Sequence, residues 1–156
     1  MRKFILLLFV LTFFLSASAE TTYQLKQIPD TTINMTNLIE ALITVESNGN
    51  PYALSKDSTC VGVLQIKEIV VDDCNEYLKI KGINKRYSYE DRYNRNKSIE
   101  MFYLIQERYR NFRTERSETY IEHMIRLWNG GCGYYLKSTQ SYYEKVISIY
   151  TKKQSN

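Results

Sequence analysis

An apolar helical pattern ends at Leu42-Ile43-Thr44-Val45-Glu46-Ser47-Asn48-Gly49-Asn50-Pro51, where a carboxylate is followed at once by turn-forming residues. Helical spacing places Glu46 on the same side as Ile39 and Leu42, so its carboxylate is expected to face the core rather than open water. Gly49 and Pro51 stop the helix just beyond it. Burial and the negative end of the helix dipole both favour the protonated carboxyl group, which is the form that a general acid needs near neutral pH.

Five helices are predicted from the spacing of apolar residues. The first begins at Asn37, whose side chain can cap the free amides, and Glu40 completes a capping-box pattern. The helices span Asn37–Glu46, Glu68–Lys81, Asn96–Phe112, Ser117–Leu127 and Thr139–Tyr150, with Thr139 as the cap of the last one. The stretch from Cys60 to Ile66 fits either a short buried strand or a close-packed turn. The expected fold is mainly α, with a single domain of about five helices and little or no sheet.

Each of the later helices has a predicted inward face. It is assigned to Ile69, Val70, Asp73, Tyr77 and Ile80 in the second helix, and to Ile99, Phe102, Ile105, Tyr109 and Phe112 in the third. In the fourth it is assigned to Tyr120, Ile121, Met124 and Leu127, and in the fifth to Tyr142, Tyr143, Val146, Ile147 and Tyr150. His123, the single histidine, falls in the middle of the fourth helix and is expected to be partly exposed.

The N-terminal residues match a secretory signal. Arg2 and Lys3 precede an apolar run from Phe4 to Leu15, and Ala17-Ser18-Ala19 forms an A-x-A cleavage pattern. The run is too short to span a bilayer comfortably, so no stable membrane insertion is expected after cleavage. The predicted organisation is a signal peptide at 1–19, an extended arm at 20–36, one domain at 37–150 and a tail at 151–156. Such a chain is expected to be secreted across the inner membrane and to be periplasmic or associated with the cell envelope.

The net charge and the composition limit the classes of molecule that the chain is expected to bind. The whole chain carries a formal net charge of +4, which falls to +2 once Arg2 and Lys3 are removed. No basic stripe of the kind that phosphate backbones select is present, so no nucleic-acid partner is expected. Fourteen tyrosines accompany the single tryptophan, Trp128. Such rings either stack on sugar faces along a groove or fill partly buried helix faces.

Four short motifs follow one another along the chain. They are Glu46-Ser47, Ala53-Leu54-Ser55, Gly62-Val63-Leu64-Gln65-Ile66 and Trp128-Asn129-Gly130-Gly131, and Thr139 and Tyr142 come after them in the last helix. Each motif is common when taken alone. Together and in this order they resemble the lytic transglycosylases of the soluble type, whose domain is lysozyme-like. The resemblance covers the chain from Asn37 to Tyr150.

The resemblance implies roles for particular residues. Glu46 matches the family's single catalytic acid, and the substrate-binding or supporting residues would be Ser47, Ser55, Gln65, Trp128, Asn129, Thr139 and Tyr142. Three positions depart from the family pattern, since Trp128 replaces tyrosine, Gly130 replaces alanine, and Val63-Leu64 replaces Leu-Met. A tryptophan keeps a flat face for stacking on sugars but lacks the phenol hydroxyl.

Cleavage of a glycosidic bond needs an acid to protonate the leaving oxygen, and usually a second carboxylate as nucleophile or base. Asp57 is the only acid between Glu46 and Gln65, and its polar loop places it at the surface. The resemblance implies a one-carboxylate mechanism, in which the substrate's N-acetyl group is the nucleophile and Glu46 acts first as acid and then as base. The expected product is a 1,6-anhydro-muramoyl end on peptidoglycan glycan strands.

Two other functions stay open. A hydrolytic muramidase would complete the site with Asp57 or a water molecule. A non-catalytic wall-binding module of a secretion or conjugation apparatus would keep the cleft without the reaction. In each case the expected partner is the peptidoglycan glycan strand, joined in the last case by such a cell-envelope assembly, and the chain itself is expected to be a monomer.

The cysteines Cys60, Cys74 and Cys132 allow three pairings, and export favours one disulfide with one free thiol. Cys60 and Cys132 are expected beside the same cleft, with one of them bridged. A catalytic cysteine is not favoured, because no positioned base is identified for a thiol. One histidine without clustered ligands predicts no metal site, and no cofactor is expected.

Overall fold

The computed structural model describes residues 33–112 and 119–155, without the side chain of Asn111. The predicted signal peptide at 1–19, most of the predicted arm and the predicted start of the fourth helix at Ser117 lie outside the described residues. Within them, no helix combines the length and the apolar character needed to cross a membrane.

Five α-helices form the described part of the chain: α1 (Met35–Ser47), α2 (Glu68–Ile80), α3 (Arg95–Arg108), α4 (Tyr120–Gly130) and α5 (Leu136–Gln154). Two short 3₁₀ helices lie at Tyr89–Tyr93 and Arg110–Phe112. The described residues form no extended strand, and Val61 makes isolated bridges to Leu54 and Ile66. The prediction of a mainly α domain of about five helices is confirmed. The stretch from Cys60 to Ile66 is a close-packed turn, and these bridges hold it in place.

α1 is buried along the face that leads to Glu46. Leu38, Ala41 and Leu42 are fully buried, and Ile39 and Ile43 nearly so. Each large aliphatic side chain removed from water in this way stabilises the fold by about 1.5–3 kcal/mol. This face packs against the core. Apolar burial therefore fixes the rotation of α1 about its axis, and with it the direction in which Glu46 points from the last turn.

α4 lies inside the core, and α5 packs on both α4 and α1. Residues 121–127 are all buried, including the ionisable side chains of Glu122, His123 and Arg126. His123 is only 1% exposed, and its Nδ1 lies 3.2 Å from the Tyr134 hydroxyl. The expectation of a partly exposed histidine is therefore wrong, because α4 is enclosed by its neighbours rather than lying on the surface.

The start of α1 differs from the prediction. The helix begins at Met35, and its cap is Asn34, whose side chain accepts a hydrogen bond from the Asn37 amide at 3.1 Å. Glu40 forms an ion pair with Arg95 on α3 instead of closing a capping box. The predicted cap at Asn37 is wrong because an asparagine three residues upstream takes that position, which leaves Glu40 in the second turn.

The predicted inward face of α2 is wrong by one position. Val71, Cys74 and Leu78 are buried, whereas Ile69 and Ile80 are 68% and 69% exposed. Two neighbouring series of apolar residues run along this helix, and spacing alone does not distinguish the series that faces the core. The helix bounds themselves agree with the prediction to within one residue.

α3 ends four residues earlier than predicted. It stops at Arg108, and Phe112 falls in the 3₁₀ helix that follows, with 57% of its side chain exposed. Phe102 and Ile105 are buried as predicted. The apolar stripe therefore ends before Phe112, because the chain leaves the α-helical path that the spacing assumes.

α4 is longer than predicted at its C-terminal end. It is capped by Thr119 and continues to Gly130 instead of ending at Leu127. Trp128 and Asn129 therefore lie in its last turn, on a rigid helix rather than in a loop. Gly131, with φ +71°, ends the helix by donating its amide to the Leu127 carbonyl at 2.9 Å.

α5 extends beyond both predicted ends. It begins at Leu136, so Thr139 lies inside its first turns and is not the cap. It continues to Gln154, so most of the predicted tail is helical. The amide of Asn34 donates a hydrogen bond of 3.1 Å to the Tyr150 hydroxyl, which joins the C-terminal half of α5 to the start of α1. This contact and the complete burial of Tyr150 stabilise the last turns of α5 against the start of α1. The spacing of apolar residues within α5 does not predict such a distant contact.

Gly62 lies where two segments meet without space for a side chain. Its φ is +79°, and a Cβ atom there would lie 2.0 Å from the carbonyl oxygen of Arg92. Its amide donates to the Ala53 carbonyl at 2.9 Å, and its own carbonyl accepts from the Gln65 amide at 3.1 Å. The turn that carries Gln65 therefore depends on a glycine at this position.

Gly62→Ala is expected to lower the free energy of unfolding by about 2–5 kcal/mol, from the left-handed backbone and from overpacking against Arg92. Urea unfolding followed by circular dichroism measures the loss. Gly82→Ala is the matched control, because Gly82 has φ +69° but nothing within 4 Å of its Cβ position. It should lose only the backbone cost of about 1–2 kcal/mol. Equal losses in the two variants would contradict the close approach to Arg92.

Candidate active site

A cleft of about 580 Å³ opens between the end of α1, the turn after it, the start of α2 and the ends of α3 and α4. Its size lies within the range of ligand-binding clefts. Its lining combines polar groups, an apolar wall and two thiols, and includes Glu46, Ser55, Cys60, Gln65, Lys67, Ile69, Val70, Asp73, Ile105, Tyr109, Trp128, Asn129 and Cys132.

Glu46 lies in the last turn of α1, just before Asn48, whose left-handed backbone with φ 52° ends the helix. Burial raises the pKa of its carboxyl group from 4.5 to about 7, and the hydrogen bond from Tyr142 opposes this effect. Near neutral pH the group is therefore divided between its acid and base forms. It can both give and accept a proton.

Tyr142 is the direct partner of this carboxyl group. Its hydroxyl donates a hydrogen bond of 2.6 Å to Glu46 Oε1, which joins α5 to α1 across 96 positions of sequence. Burial, with a further contribution from the nearby Glu46 carboxylate, raises the pKa of Tyr142 well above its usual range. The phenol therefore stays neutral and acts as a donor.

Ser47 and Gln65 hold the turn beside the carboxyl group. Ser47 Oγ donates to the Val63 carbonyl at 2.8 Å, which ties the end of α1 to the turn. Gln65 has a left-handed backbone with φ 49°, and its side-chain nitrogen donates to the carbonyls of Ala53 and Gly62 at 3.1 and 3.0 Å. With its amide nitrogen engaged in this way, Gln65 has its amide oxygen available for another partner.

Ser55 is held in a small hydrogen-bonded loop. Its hydroxyl donates to Asp57 Oδ1 at 2.6 Å and accepts from the Cys60 amide at 3.0 Å. Asp57 also accepts from the amide and the hydroxyl of Thr59. The hydrogen bonds from Ser55 and Thr59 lower the pKa of Asp57 to about 2. Asp57 is exposed, as predicted, and its carboxylate serves to orient the Ser55 hydroxyl.

The end of α4 forms another wall of the cleft. Asn129 is exposed there, and Trp128 is half-buried with its ring edge-to-face against Phe102 at 5.1 Å. Thr139 is different, because it is 1% exposed and lies between α5 and α4. Its hydroxyl donates to the Tyr135 carbonyl at 2.9 Å.

The predicted site residues thus divide into two groups. The cleft brings together Glu46, Ser55, Gln65, Trp128 and Asn129, and Tyr142 bonds to the first of these. Ser47 and Thr139 do not line the cleft and make their contacts behind it. In this structure their side chains bond to the protein backbone.

The sequence interpretation missed one wall of the cleft. Ile69, Val70 and Asp73 were assigned to the core face of α2, and Ile105 and Tyr109 to that of α3, but they line the cleft. For α2 the sequence does contain a signal. The other apolar series of the helix is sufficient to form its core face, which leaves the series with Ile69, Val70 and Asp73 free to line the cleft. Lys67 also lines the cleft and carried no signal in the sequence.

All three cysteines are free thiols in the structure, so the expected disulfide is wrong. Cys60 and Cys132 both line the cleft, as predicted. Cys74 points into the core, where its thiol lies 3.6 Å from the Met101 carbonyl, and burial raises its pKa to about 12. Across residues 33–112 and 119–155, no three His, Cys, Asp or Glu side chains gather where they could hold a metal ion.

Glu46→Gln is expected to stabilise the fold at alkaline pH. The folded-state pKa of about 7 lies above the value of 4.5 for an unshifted carboxyl group. Ionising Glu46 therefore costs stability, and this cost grows as pH rises from about 4.5 to about 7 and is complete above that range. A neutral amide avoids it. The gain at pH 8 relative to pH 4 should approach about 3 kcal/mol in urea unfolding.

Glu107→Gln is the control for this measurement. Glu107 is exposed, and hydrogen bonds from Lys81 and then Tyr77 lower its pKa, so its replacement should give no gain at alkaline pH. If Glu46→Gln and the native chain lost stability in parallel between the two pH values, the raised pKa of Glu46 would be contradicted.

Iodoacetamide is expected to alkylate Cys132 readily in the folded chain and to leave Cys74 unmodified. Cys132 is exposed in the cleft, whereas Cys74 is buried and its raised pKa keeps it as the unreactive thiol. Peptide mass spectrometry after a timed reaction measures the difference. In guanidinium the two residues should react at similar rates, and rapid labelling of Cys74 without denaturant would contradict its burial.

A family model described as the transglycosylase SLT domain matches residues 26–150. The match covers well over half of the 156-residue chain and includes α1 to α4 and most of α5. The comparison with curated proteins finds no match. The five described helices and the near absence of sheet fit the mainly α, lysozyme-like fold. We conclude that the chain belongs to the transglycosylase SLT domain family, whose members are lytic transglycosylases acting on peptidoglycan.

Proposed function

We propose that the chain is a lytic transglycosylase that cleaves the β-1,4 bond between MurNAc and GlcNAc in peptidoglycan without adding water. The observation that carries the proposal is Glu46, a partly buried carboxyl group with a pKa of about 7, placed in a cleft and bonded to a neutral phenol. Family membership supports peptidoglycan as the substrate.

In the first step of the proposed reaction, Glu46 gives its proton to the bridging oxygen as the bond from C1 of MurNAc to that oxygen breaks. The N-acetyl oxygen of the same sugar bonds to C1. In the second step, the Glu46 carboxylate takes the proton of the C6 hydroxyl, O6 bonds to C1, and the bond from the N-acetyl oxygen breaks. The reaction leaves a 1,6-anhydro-muramoyl end and a protonated Glu46, so protons balance without water.

The pKa of Glu46 suits both steps. Near neutral pH both the acid and the base form are populated, and the conjugate base is strong enough to take a proton back. The Tyr142 hydrogen bond strengthens when the carboxyl group becomes charged, and it thus stabilises the form present between the steps. Because the pKa of Tyr142 is far above neutral, the phenol does not compete as a base.

The other acids support a reaction with one carboxylate. Asp57 lies outside the cleft lining and is engaged by Ser55 and Thr59. Asp73 does line the cleft, but its Oδ1 is paired with Arg108 Nε at 3.2 Å, and Tyr109 also bonds to it. A carboxylate committed to an arginine and a phenol is a poor nucleophile or base.

The remaining assignments follow from position. Ser55, Gln65 and Asn129 would orient the N-acetyl group, and Trp128 would stack on a sugar face.

The sequence at 1–19 supports export across the inner membrane and action on glycan strands in the periplasm or cell envelope. We expect a monomer, and a link to a secretion or conjugation assembly is a separate proposal for pull-down from cell envelopes.

Hydrolysis is the second candidate, and Asp73 is the observation that favours it, because it places a second acidic side chain in the cleft. The third possibility, a non-catalytic wall-binding module, gives no reason for a carboxyl group with a pKa near neutrality at the cleft wall.

Glu46→Gln is expected to lower the release of muropeptides from purified sacculi by at least about 10²-fold, because the general acid is lost. Asp73→Asn should lower it less than about tenfold if Glu46 works alone. Circular dichroism would verify that both variants are folded. Losses of equal size would instead indicate hydrolysis by two carboxylates.

Mass spectrometry of the products tests the reaction type directly. Anhydro-muramoyl ends are lighter by one water molecule than the reducing ends that hydrolysis leaves. Reducing ends released by the native chain would overturn the transglycosylase proposal. Binding to sacculi with no released product would favour the wall-binding module.

A further inference from the structure

Arg126 is a buried charge that the proposed reaction does not use. Its side chain is 3% exposed, and its Nε forms an ion pair of 2.6 Å with Glu122 Oε1 on the same helix. Removing a charge of this kind from water is costly unless every donor finds a partner. The direction of the remaining donors therefore indicates what the residue holds in place.

The rest of the guanidinium group is directed at the start of α5. Nη1 donates to the Leu136 carbonyl at 2.9 Å and to Thr139 Oγ1 at 2.8 Å, and Nη2 donates to Gln140 Oε1 at 2.7 Å. The group also lies over the ring of Tyr143, 4.6 Å from its centre. These contacts explain the burial of Thr139, whose hydroxyl serves Arg126 rather than the cleft.

The contacts of Arg126 lie on both sides of Tyr142 in the sequence, at Gln140 and Tyr143. A planar group that bonds to several positions in the first two turns of a helix fixes the rotation of that helix about its axis, which determines where Tyr142 points. On α4, Arg126 lies within one turn of Trp128 and Asn129. One side chain thus connects α4, which carries Trp128 and Asn129 to the cleft, with α5, which carries Tyr142 to Glu46.

We propose that Arg126 is a positioning residue, which fixes the start of α5 on α4 so that the Tyr142 hydroxyl is held on Glu46. The proposal rests on the proposed function of Glu46. It predicts a local effect, because the far end of α5 has its own attachment through Tyr150 and Asn34. Loosening the start of α5 should therefore move Tyr142 without undocking the helix.

Arg126→Lys is the first test, since lysine keeps the charge next to Glu122 but lacks the planar fork. Muropeptide release should fall about fivefold or more. In a Tyr142→Phe background the same change should cost less than about twofold, because the hydroxyl that Arg126 positions is already gone. Equal losses in both backgrounds would overturn the proposal.

The second readout is the titration of Glu46, followed by the ¹³C shift of its carboxyl carbon. The Tyr142 hydrogen bond holds the pKa of Glu46 down, so loss of that bond should move the titration to higher pH in Arg126→Lys and in Tyr142→Phe. The other titratable side chains lining the cleft are Lys67, Asp73, Tyr109, Cys60 and Cys132, and these variants change none of them. A purely stabilising arginine would leave the titration of the folded chain unchanged.

Arg95→Lys is the matched control. Arg95 also forms an interhelical ion pair, but its partner Glu40 lies on α1 rather than on α5. It should leave the Glu46 titration in place. If Arg126→Lys fails to fold, Thr139→Val removes one Arg126 partner and should give a smaller shift in the same direction.

The two proposals fail in different ways. A native chain that releases no product would refute the proposed function, while the titration would still report whether Arg126 sets the Tyr142 contact. An unchanged titration in folded Arg126→Lys and Thr139→Val, beside a shift in Tyr142→Phe, would refute the role of Arg126.

Discussion

The hydrogen bond from Tyr142 to Glu46 is the contact that the rest of the structure supports. Burial alone would make the carboxyl group difficult to ionise, and exposure would leave it fully ionised at neutral pH. The two opposing influences, burial and a neutral donor, leave the pKa at about 7. Both require α1 and α5 to meet in one orientation, which apolar packing along each helix and the contacts of Arg126 with the start of α5 support together.

The features that sequence could predict are those with local causes. Glu46 lies at the end of a helix because the apolar spacing and the turn residues after it act within one or two turns. The inward face of α2 was wrong because two apolar series compete there, and only the packing of Val71 and Cys74 against neighbouring helices decides between them. Thr139 resembles a helix cap by residue type, yet its hydroxyl is taken by Arg126 from another helix.

No local sequence pattern predicts the burial of His123 and Arg126, because that burial also depends on contacts with distant parts of the chain. Whether α4 lies inside the core depends on helices on either side of it in the sequence, and a charged residue is tolerated there only when distant groups complete its hydrogen bonds. Several residues of the family pattern also proved to hold the backbone. Ser47 ties α1 to the turn, and the side-chain nitrogen of Gln65 braces that turn. These two residues of the pattern therefore have a role in holding the turn beside Glu46.

The 96 positions between Glu46 and Tyr142 have a consequence for the order of assembly. Contacts between residues so far apart form late, because the intervening chain must first be ordered. A nascent chain that ends after α4 already contains Glu46, Ser55, Gln65, Trp128 and Asn129 but lacks the Tyr142 hydroxyl that donates to the carboxyl group. The hydrogen bond from Tyr142 to Glu46 therefore forms only when the last helix docks.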